Sequence, residues 1–313
     1  RVVGLEPEAN EIILENGARD TYDRLVLATG AHSWIPPLPG RDLEGVCTLR
    51  SLEDALAILE RLQQIDHVLV LGGGLLGLDV SAALRAHDVD VTVVEAVPYL
   101  LPRQLDERGG RLLEEYIEAR GIDVITGALC TEIDGQAEIE FAKLNDGQRI
   151  ETHMMLVATG VRANIELAEA AGLDCNQGVL VNEHLQTSHP DIYAVGDVTE
   201  FKGQRWDIIP PAIAQARVAA MHITGQGGAP YEGSFPYTTL KVSGIDLVSM
   251  GEVRITDEAT REIYYLDQVA GIYKRLLLRK NRVVGAILLG DSSETAAARR
   301  LVDGHMPISR REE

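Results

Sequence analysis

The stretch His67–Glu95 constrains the fold more than any other part of the chain. An apolar run, Val68–Leu71, leads into the glycine pattern G-x-G-x-x-G at residues 72–77, and a helical apolar pattern follows. A second apolar run, Val91–Val94, then ends on an acid. This order of strand, glycine turn, helix, strand and acid is the one that a dinucleotide-binding βαβ unit requires. We therefore predict a nucleotide site here.

Each residue of that pattern has a physical task. Gly72 permits the tight turn, Gly74 lets the backbone approach a pyrophosphate, and Gly77 allows the helix to lie close to the strand. The helix N-terminus adds partial positive charge near the phosphates. Glu95, 18 residues after Gly77, is placed to accept hydrogen bonds from ribose hydroxyls. Because this acid would repel a 2′-phosphate, and no Lys or Arg follows until Arg103, the pattern favours NADH over NADPH.

An internal repeat is the second informative feature. A hairpin pattern with a turn at Gly17 is followed by an apolar run that ends in Ala-Thr-Gly at Gly30. The same design recurs with a predicted strand at Ala137–Leu144, a turn at Gly147 and a run that ends in Ala-Thr-Gly at Gly160. Both pairs of glycines are 13 residues apart, which indicates two copies of one nucleotide-binding design. Gly160 follows Gly72 by 88 residues, so a matching glycine turn for the first copy would lie about 58 residues before residue 1. We expect the first unit to be incomplete in this sequence.

Three other segments complete the predicted organisation. Ser51 with Asp54 forms a capping box that begins a helix. The run Asp191–Asp197 is an apolar strand that delivers Gly-Asp at its carboxyl end, where open α/β sheets bind ligands; we favour a ribityl or phosphate-side contact for Asp197 over a turn role. After a glycine-rich linker at 225–233, short strand patterns, a hairpin turn at Lys280-Asn281 and one helix predict a small α+β domain. The predicted apolar face of the helix after Ser51 consists of Leu52, Ala55, Leu56, Leu59 and Leu62.

Composition excludes several classes of partner. The net charge is −19, which repels nucleic acid and anionic membranes, and no apolar run is long enough to span a bilayer. The three cysteines, Cys47, Cys130 and Cys175, form no CxxC pattern, so neither a redox pair nor a metal site is predicted. They are typical of reduced thiols in a cytoplasmic protein.

Taken together, two Ala-Thr-Gly strand ends, a central GGGLLG and the sequence DIYAVGD resemble the FAD-dependent pyridine nucleotide–disulfide oxidoreductase superfamily. Residues 101–106 (LPRQLD), 240–246 (LKVSGID) and 290–292 (GDS) are similar to the flavoprotein module of NAD(P)H-nitrite reductase large subunits, with rubredoxin and ferredoxin reductases as close relatives. The resemblance implies an α/β fold with two Rossmann-like, glutathione reductase-type domains, the first incomplete, and a small C-terminal α+β domain. The implied boundaries are 1–64 with 162–232 for FAD, 65–161 for NAD, and 233–313 for the C-terminal interface domain.

The resemblance also assigns residues to cofactors. Many relatives have Glu where this chain has Asp79, close to the nicotinamide, and the shorter side chain here weakens the expectation of a direct carboxamide contact. The NAD(P)H contacts expected from the pattern and the resemblance are Gly72, Gly74, Leu75, Leu76, Gly77, Asp79, Glu95 and Gly160. The expected FAD contacts are Ala28, Thr29, Gly30, Gly196 and Asp197.

The implied activity is an NADH oxidoreductase that passes hydride from NADH to FAD and electrons onward to a redox partner. That partner would be rubredoxin, ferredoxin, or an iron–sulfur or sirohaem module. No catalytic side chain is predicted, because the cofactors carry the chemistry. Two alternatives stay open. One is an NADH oxidase, peroxidase or coenzyme A-disulfide reductase with its redox cysteine upstream; the other is a non-catalytic NAD-binding fragment. By analogy, the C-terminal domain is the predicted surface for a homodimer or partner.

Overall fold

A computed structural model describes residues 1–242 and 244–304, and the chain folds as two compact units. The first unit contains Arg1–Ser33 and Gly160–Ser234. The second contains Trp34–Thr159 and the described part of Phe235–Glu313. Residues 34–64, which we predicted to group with the FAD segment, therefore belong to the second unit.

Six α-helices and 22 strands, most of them short, make up the regular structure in the described part of the chain. Up to residue 159 the elements are β1 (Val2–Glu6), β2 (Glu11–Leu14), β3 (Arg19–Thr21), β4 (Leu25–Leu27), β5 (Ala31–Ser33), β6 (Val46–Cys47), α1 (Leu52–Arg61), β7 (His67–Leu71), α2 (Leu75–Arg85), β8 (Asp90–Glu95), α3 (Glu107–Glu118), β9 (Ile122–Thr126), β10 (Cys130–Asp134), β11 (Phe141–Leu144), β12 (Arg149–Glu151) and β13 (Met155–Val157). Beyond it they are β14 (Val161–Ala163), α4 (Glu166–Ala170), β15 (Val179–Leu180), β16 (Ile192–Ala194), β17 (Thr199–Glu200), α5 (Ile209–Ile223), β18 (Tyr237–Val242), β19 (Ile245–Gly251), β20 (Thr260–Asp267), β21 (Ile272–Arg279), β22 (Arg282–Leu289) and α6 (Thr295–Asp303).

A five-stranded parallel sheet in the order β6-β13-β7-β8-β9 forms the centre of the second unit. Its middle strand β7 is an uninterrupted apolar run because both faces are covered, and Val68, Leu69 and Val70 have no exposed surface. The order β7, glycine turn, α2, β8 confirms the βαβ unit predicted from His67–Glu95.

The internal repeat is also confirmed. In each copy a three-stranded antiparallel sheet precedes a short parallel strand that ends in Ala-Thr-Gly. The first copy has β1-β2-β3 and then β4; the second has β10-β11-β12 and then β13. The prediction of a simple hairpin missed β1 and β10. It also began the later strand at Ala137, whereas β11 begins at Phe141 because Ile139 N–H bonds to Glu44 O at 2.9 Å instead.

The capping box at the start of α1 is present. Ser51 Oγ accepts from Asp54 N–H at 3.1 Å and Asp54 Oδ2 accepts from Ser51 N–H at 2.9 Å. The predicted apolar face, however, is partly wrong. Ile58 of the helix and Leu62, just after its end, pack into the core. A second apolar stripe, with residues three and four positions apart, lies on another side of the helix and faces solvent. That exposed stripe consists of Leu52, Leu56 and Leu59.

The C-terminal part of the second unit has the predicted small α+β fold. Its antiparallel sheet runs β18-β19-β22-β21-β20, and α6 packs against β19 and β22. The predicted hairpin turn at Lys280-Asn281 is present, with φ of 50° and 60° at the two residues. Ser243 of the LKVSGID segment lies outside the described residues. Among residues 1–242 and 244–304, no helix has the length and hydropathy of a membrane span.

Candidate dinucleotide-binding site

The turn between β7 and α2 is closed on one side and open on the other. Gly72 has φ of +117°, a conformation that favours glycine, and its N–H bonds to Val94 O at 2.8 Å. A Cβ added at Gly77 would lie 1.9 Å from Gly72 O, so the close helix–turn contact requires glycine there. At Gly74, by contrast, a Cβ would meet no protein atom within 4 Å. The turn therefore packs tightly at Gly77 and leaves free space at Gly74, as a phosphate cradle requires.

The N-terminus of α2 faces this free space without a side-chain cap. Gly74 is the N-cap residue and, among the described residues, no side chain accepts a hydrogen bond from the first turn of the helix. Leu75 and Leu76 follow, and Leu76 is exposed. Free first-turn N–H groups and the positive end of the helix dipole suit an anionic group such as a pyrophosphate.

Glu95 ends β8 and is held by backbone donors. Its Oε2 accepts from Gly73 N–H at 2.8 Å, and its Oε1 accepts from Val97 N–H at 2.9 Å. Each oxygen keeps further acceptor capacity, which is what recognition of ribose hydroxyls needs. The glycine turn thus fixes the orientation of the acid. Sequence reasoning predicted Glu95 but not the bond to Gly73, because two residues 22 positions apart are brought together only by parallel pairing of β7 with β8.

Two other residues were predicted for this site, Asp79 and Gly160. Asp79 lies on α2 with an exposed side chain, and desolvation by the surrounding protein raises the pKa of its carboxyl above the ordinary value. Gly160 belongs to the first unit and has φ of +111°, with no heavy atom within 4 Å of a Cβ built there. No hydrogen bond between these residues and the turn supports either assignment within the described part of the chain.

In the first unit, the carboxyl ends of two parallel strands meet. Strand β4 pairs with β16, with Leu27 opposite Ala194, so residues 28–30 and 196–197 lie at the same edge. Gly30 and Gly196 both have positive φ, 69° and 82°. The structure therefore brings together the predicted FAD-side residues Ala28, Thr29, Gly30, Gly196 and Asp197, at the edge where open α/β sheets bind ligands.

Two polar residues that sequence reasoning missed hold this edge. Asn164 accepts from Thr29 Oγ1 through its main-chain carbonyl oxygen at 2.9 Å and donates from Nδ2 to Thr29 O at 2.7 Å. Gln215, only 1% exposed, accepts from Gly196 N–H through Oε1 at 2.7 Å. In the sequence, Asn164 is visible only as a polar residue five positions after Thr159, and Gln215 only as a single amide in an apolar helix. Neither feature predicts the residue to which the side chain bonds.

The cysteines lack the character of redox thiols. Burial raises the pKa of Cys47 to about 11 and that of Cys175 to about 11, and it also raises the pKa of Cys130. A thiol acts as a nucleophile only as thiolate, so these three are poor nucleophiles at neutral pH. All three are free, as predicted.

The geometry fits the cofactors that the sequence implied. The cradle at Gly74, the uncapped start of α2 and the oriented Glu95 suit the pyrophosphate and ribose of a dinucleotide. At the ends of the paired strands β4 and β16, Gly30 and Gly196 have no side chains, so the main chain there can lie close to a second ligand. A parallel sheet with a glycine-turn βαβ unit, a repeated strand end and an antiparallel C-terminal domain define a two-nucleotide oxidoreductase.

Comparison with known proteins agrees with this class. The sequence model described as pyridine nucleotide-disulphide oxidoreductase matches residues 1–222, and the one described as rubredoxin NAD+ reductase C-terminal domain matches residues 236–306. The chain belongs to the pyridine nucleotide-disulphide oxidoreductase family, whose members are FAD-dependent NAD(P)H oxidoreductases.

Three relatives show the extent of the similarity. Nitrite reductase [NAD(P)H] of Bacillus subtilis is 38% identical over 293 residues, which cover 94% of this chain and 36% of that protein. NADH-rubredoxin oxidoreductase of Clostridium acetobutylicum is 28% identical over 299 residues, covering 96% of this chain and 74% of that one. The structure of a ferredoxin reductase from Rhodopseudomonas palustris has a TM-score of 0.89 and 27% identity, covering 98% and 77%. The chain thus spans little more than a third of the nitrite reductase that it matches.

Proposed function

We propose that this chain is the NADH-oxidising, FAD-binding module of an electron-transfer enzyme similar to the nitrite reductase large subunits. The observation that carries the proposal is the coupling of Glu95 to Gly73 N–H beside an open phosphate cradle at Gly74. The names of the relatives, nitrite reductase and NADH-rubredoxin oxidoreductase, support delivery of electrons to a protein redox centre.

In this proposal the chain has an NADH-binding part, a FAD-binding part and an interface domain. Residues 65–161 bind NADH, residues 1–64 and 162–232 contribute to the FAD site, and residues 233–313 form an interface domain. The NADH contacts are Gly72, Gly74, Leu75, Leu76, Gly77, Asp79, Glu95 and Gly160. The FAD contacts are Ala28, Thr29, Gly30, Gly196 and Asp197, with Asn164 and Gln215 holding the strand ends in place.

FAD held by Ala28, Thr29, Gly30, Gly196 and Asp197 would supply the redox chemistry, namely hydride acceptance and release of single electrons. The residues of the chain bind and orient. Glu95 accepts ribose hydroxyl hydrogen bonds and repels a 2′-phosphate, which makes NADH the preferred donor. Partners of this module are an iron–sulfur protein of the rubredoxin or ferredoxin kind or an iron–sulfur or sirohaem domain. The proposal includes a cytoplasmic location, consistent with three free cysteines.

An NADH oxidase activity has support from one relative, an NADH oxidase of Methanocaldococcus jannaschii that is 38% identical over 244 residues. The raised pKa values of the three cysteines disfavour a thiol-based reaction with oxygen or peroxide at these positions. Electron transfer to a protein carrier has the further support of the match of residues 236–306 to a rubredoxin NAD+ reductase C-terminal domain.

The test is anaerobic titration of the FAD-loaded chain with NADH and with NADPH, followed by flavin absorbance. We expect reduction by NADH at lower concentrations than by NADPH. Absence of flavin reduction by either nucleotide would contradict the proposal. Rapid oxygen consumption without electron transfer to a rubredoxin or ferredoxin would instead favour the oxidase.

Alanine variants of two glycines in the turn distinguish an effect on NADH binding from an effect on folding. Gly74→Ala places a methyl in space that no protein atom occupies, so we expect unchanged unfolding but NADH affinity reduced about tenfold or more. Gly77→Ala places its methyl against Gly72 O, so we expect it to destabilise the fold as well. Unaltered NADH affinity in Gly74→Ala would remove the cradle from the proposal.

A further inference from the structure

His32 lies on β5, two residues after the first Ala-Thr-Gly segment, and its ring bonds to a residue 132 positions away. His32 Nδ1 is 2.7 Å from Asn164 Oδ1. Asn164 directly follows β14, the strand that pairs antiparallel with β5. The proposed function uses Asn164 to hold the strand end at the FAD side and gives His32 no role.

Asn164 is bonded to the end of that strand through both its side chain and its main chain. Its Nδ2 donates to Thr29 O at 2.7 Å, its main-chain O accepts from Thr29 Oγ1 at 2.9 Å, and its N–H donates to Gly30 O at 3.0 Å. A Cβ built at Gly30 would meet no heavy atom within 4 Å, so free space lies beside this residue. The position of Asn164 therefore determines how the main chain at Thr29 and Gly30 borders that space.

The orientation of the Asn164 amide follows from these bonds. Thr29 O can only accept, so the amide nitrogen must face it and the amide oxygen must face His32. Because an amide oxygen also only accepts, His32 Nδ1 must carry a hydrogen. If the amide turned over, two oxygens would face each other at Thr29 and two N–H donors would face each other at His32. The hydrogen on His32 Nδ1 thus stabilises the one amide orientation that Thr29 O requires.

We propose that His32 is a positioning residue of the FAD site, which holds the Asn164 amide in the orientation that fixes Thr29 and Gly30. The inference rests on the proposed function, in which residues 28–30 border the flavin nucleotide. His32 needs no contact with FAD, because its effect on the cofactor passes through Asn164. The property that matters is a hydrogen-bond donor at the position of Nδ1.

The second copy of the repeat has a different residue at the equivalent position. Thr29 bonds to Asn164, which lies five residues after Thr159, and Thr159 Oγ1 donates at 2.8 Å to the main-chain O of Trp34, which lies five residues after Thr29. An indole has one N–H donor and no acceptor, so the Trp34 side chain cannot accept from a histidine while donating to a carbonyl. The bond between His32 and Asn164 is therefore a feature of the first copy and not of the repeat in general.

A double-mutant cycle with His32→Ala, Asn164→Ala and the double variant tests the proposal through FAD affinity, measured by flavin fluorescence titration of the full chain. We expect His32→Ala to raise the Kd for FAD about fivefold, the equivalent of one hydrogen bond, and to have no further effect when Asn164 is already alanine. His87→Ala, a change at an exposed histidine of the second unit, is the matched control and should leave the Kd within about twofold. A fivefold effect of His32→Ala that persists in the Asn164→Ala background would overturn the proposal.

Two variants of equal size test the need for a donor at residue 32. His32→Asn has an amide nitrogen at the same number of bonds from the main chain as Nδ1, so we expect it to restore most of the wild-type affinity for FAD. His32→Asp has only acceptors there when ionised, so it should weaken FAD binding at least as much as His32→Ala. Equal FAD affinities of the Asn and Asp variants would contradict the proposed role of the donor.

Measurements without FAD distinguish this inference from the proposed function. In the FAD-free chain, heteronuclear NMR of the neutral His32 ring should show the hydrogen on Nδ1. The Asn164 N–H, which bonds to Gly30 O, should exchange with solvent about fivefold faster in His32→Ala than in the wild type. A hydrogen on Nε2 alone, or unchanged exchange at Asn164, would overturn the inference about His32. A wild-type chain that binds no FAD would contradict the proposed function instead, and the positioning of Asn164 by His32 would be judged from these two measurements.

Discussion

Arg275 holds α3 to the C-terminal sheet, and its removal should destabilise the second unit strongly. The side chain is 5% exposed and contacts Glu262 Oε2 at 2.7 Å, Asp106 Oδ2 at 3.4 Å and Val253 O at 2.8 Å. Glu262 also binds Arg108 at 2.8 Å, and Asp106 also accepts from Tyr273 at 2.7 Å. When Arg275 is replaced, Glu262 therefore keeps Arg108, and Asp106 keeps Tyr273 and the N–H of Gly109.

The magnitude follows from burial. Breaking a buried ion pair costs about 3–5 kcal/mol, and the remaining partners of the acids place Arg275→Met at the lower end, about 3 kcal/mol. Arg108→Met is the matched control because it contacts the same Glu262 from a half-exposed position. Loss of that exposed ion pair and of the cation–π contact with Tyr264 should cost about 1 kcal/mol.

The assay is denaturant unfolding followed by tryptophan fluorescence. The chain has two tryptophans, and Trp34 lies in the second unit while Trp206 lies in the first. In a Trp206→Phe background the signal therefore reports the second unit. Equal destabilisation by Arg275→Met and Arg108→Met, or less than about 1 kcal/mol from Arg275→Met, would refute the reasoning from burial.

The ion pair between Arg275 and Glu262 also predicts a pH dependence of stability. Burial raises the pKa of Glu262, but hydrogen bonds from Arg108 and Arg275 outweigh it, so the pKa lies below its usual value. A lowered carboxyl pKa contributes stability that is present above the unfolded value, about 4.3, and is lost as pH falls through the folded value. The difference in unfolding free energy between wild type and Arg275→Met should accordingly shrink in acid below that range. A difference that stays constant down to acid unfolding would contradict this assignment.

Three further predictions concern the nucleotide sites and the thiols. Glu95→Gln keeps an acceptor for Gly73 N–H but loses the charge, so the preference for NADH over NADPH should fall with little loss of stability. Glu95→Ala should lose the same preference and also about 1–3 kcal/mol of unfolding free energy, because Gly73 N–H loses its acceptor. Nucleotide titration and denaturant unfolding measure the two effects. Gln215→Leu leaves Gly196 N–H without its acceptor and should lower thermal stability and FAD retention, checked by calorimetry and flavin release. Cys47 and Cys175, with pKa of about 11, should be alkylated about a hundredfold more slowly than an unperturbed thiol near pH 7.5, as mass spectrometry would show.

The sequence predicted those parts of the fold that depend on local periodicity. The βαβ unit at His67–Glu95 is encoded by contiguous apolar runs and glycine spacing, and the turn at Lys280-Asn281 by residues that tolerate positive φ. The predicted apolar face of α1 was partly wrong, because Leu52, Leu56 and Leu59 form a helically spaced stripe that is exposed, whereas Ile58 is buried. Spacing identifies a helix with an apolar stripe, but only tertiary packing decides which stripe is covered.

The candidate site divides in the same way. Glu95 was predictable because its place at the end of a strand is local, whereas Gln215 and Asn164 act on residues 19 and 135 positions away. A single sequence carries no information about such pairs beyond the presence of a polar residue. The repeat was the exception, since comparing one copy with the other indicated that each Ala-Thr-Gly segment ends a strand of the same nucleotide-binding design.

If Glu95 selects NADH as proposed, its bond to Gly73 links that selectivity to the shape of the glycine turn. A Cβ at Gly73 would lie 2.6 Å from Leu100 Cδ2 and 3.1 Å from Glu95 Cβ, so the acid and the turn occupy one tightly packed space. In the proposed function the carboxylate therefore has two roles, as acceptor for the ribose hydroxyls and as acceptor for Gly73 N–H. Replacing it to admit a 2′-phosphate removes both at once. It follows that a basic residue at position 95 alone would disturb the pyrophosphate site it is meant to serve, and that changes in nucleotide preference in this chain require a substitute acceptor for Gly73.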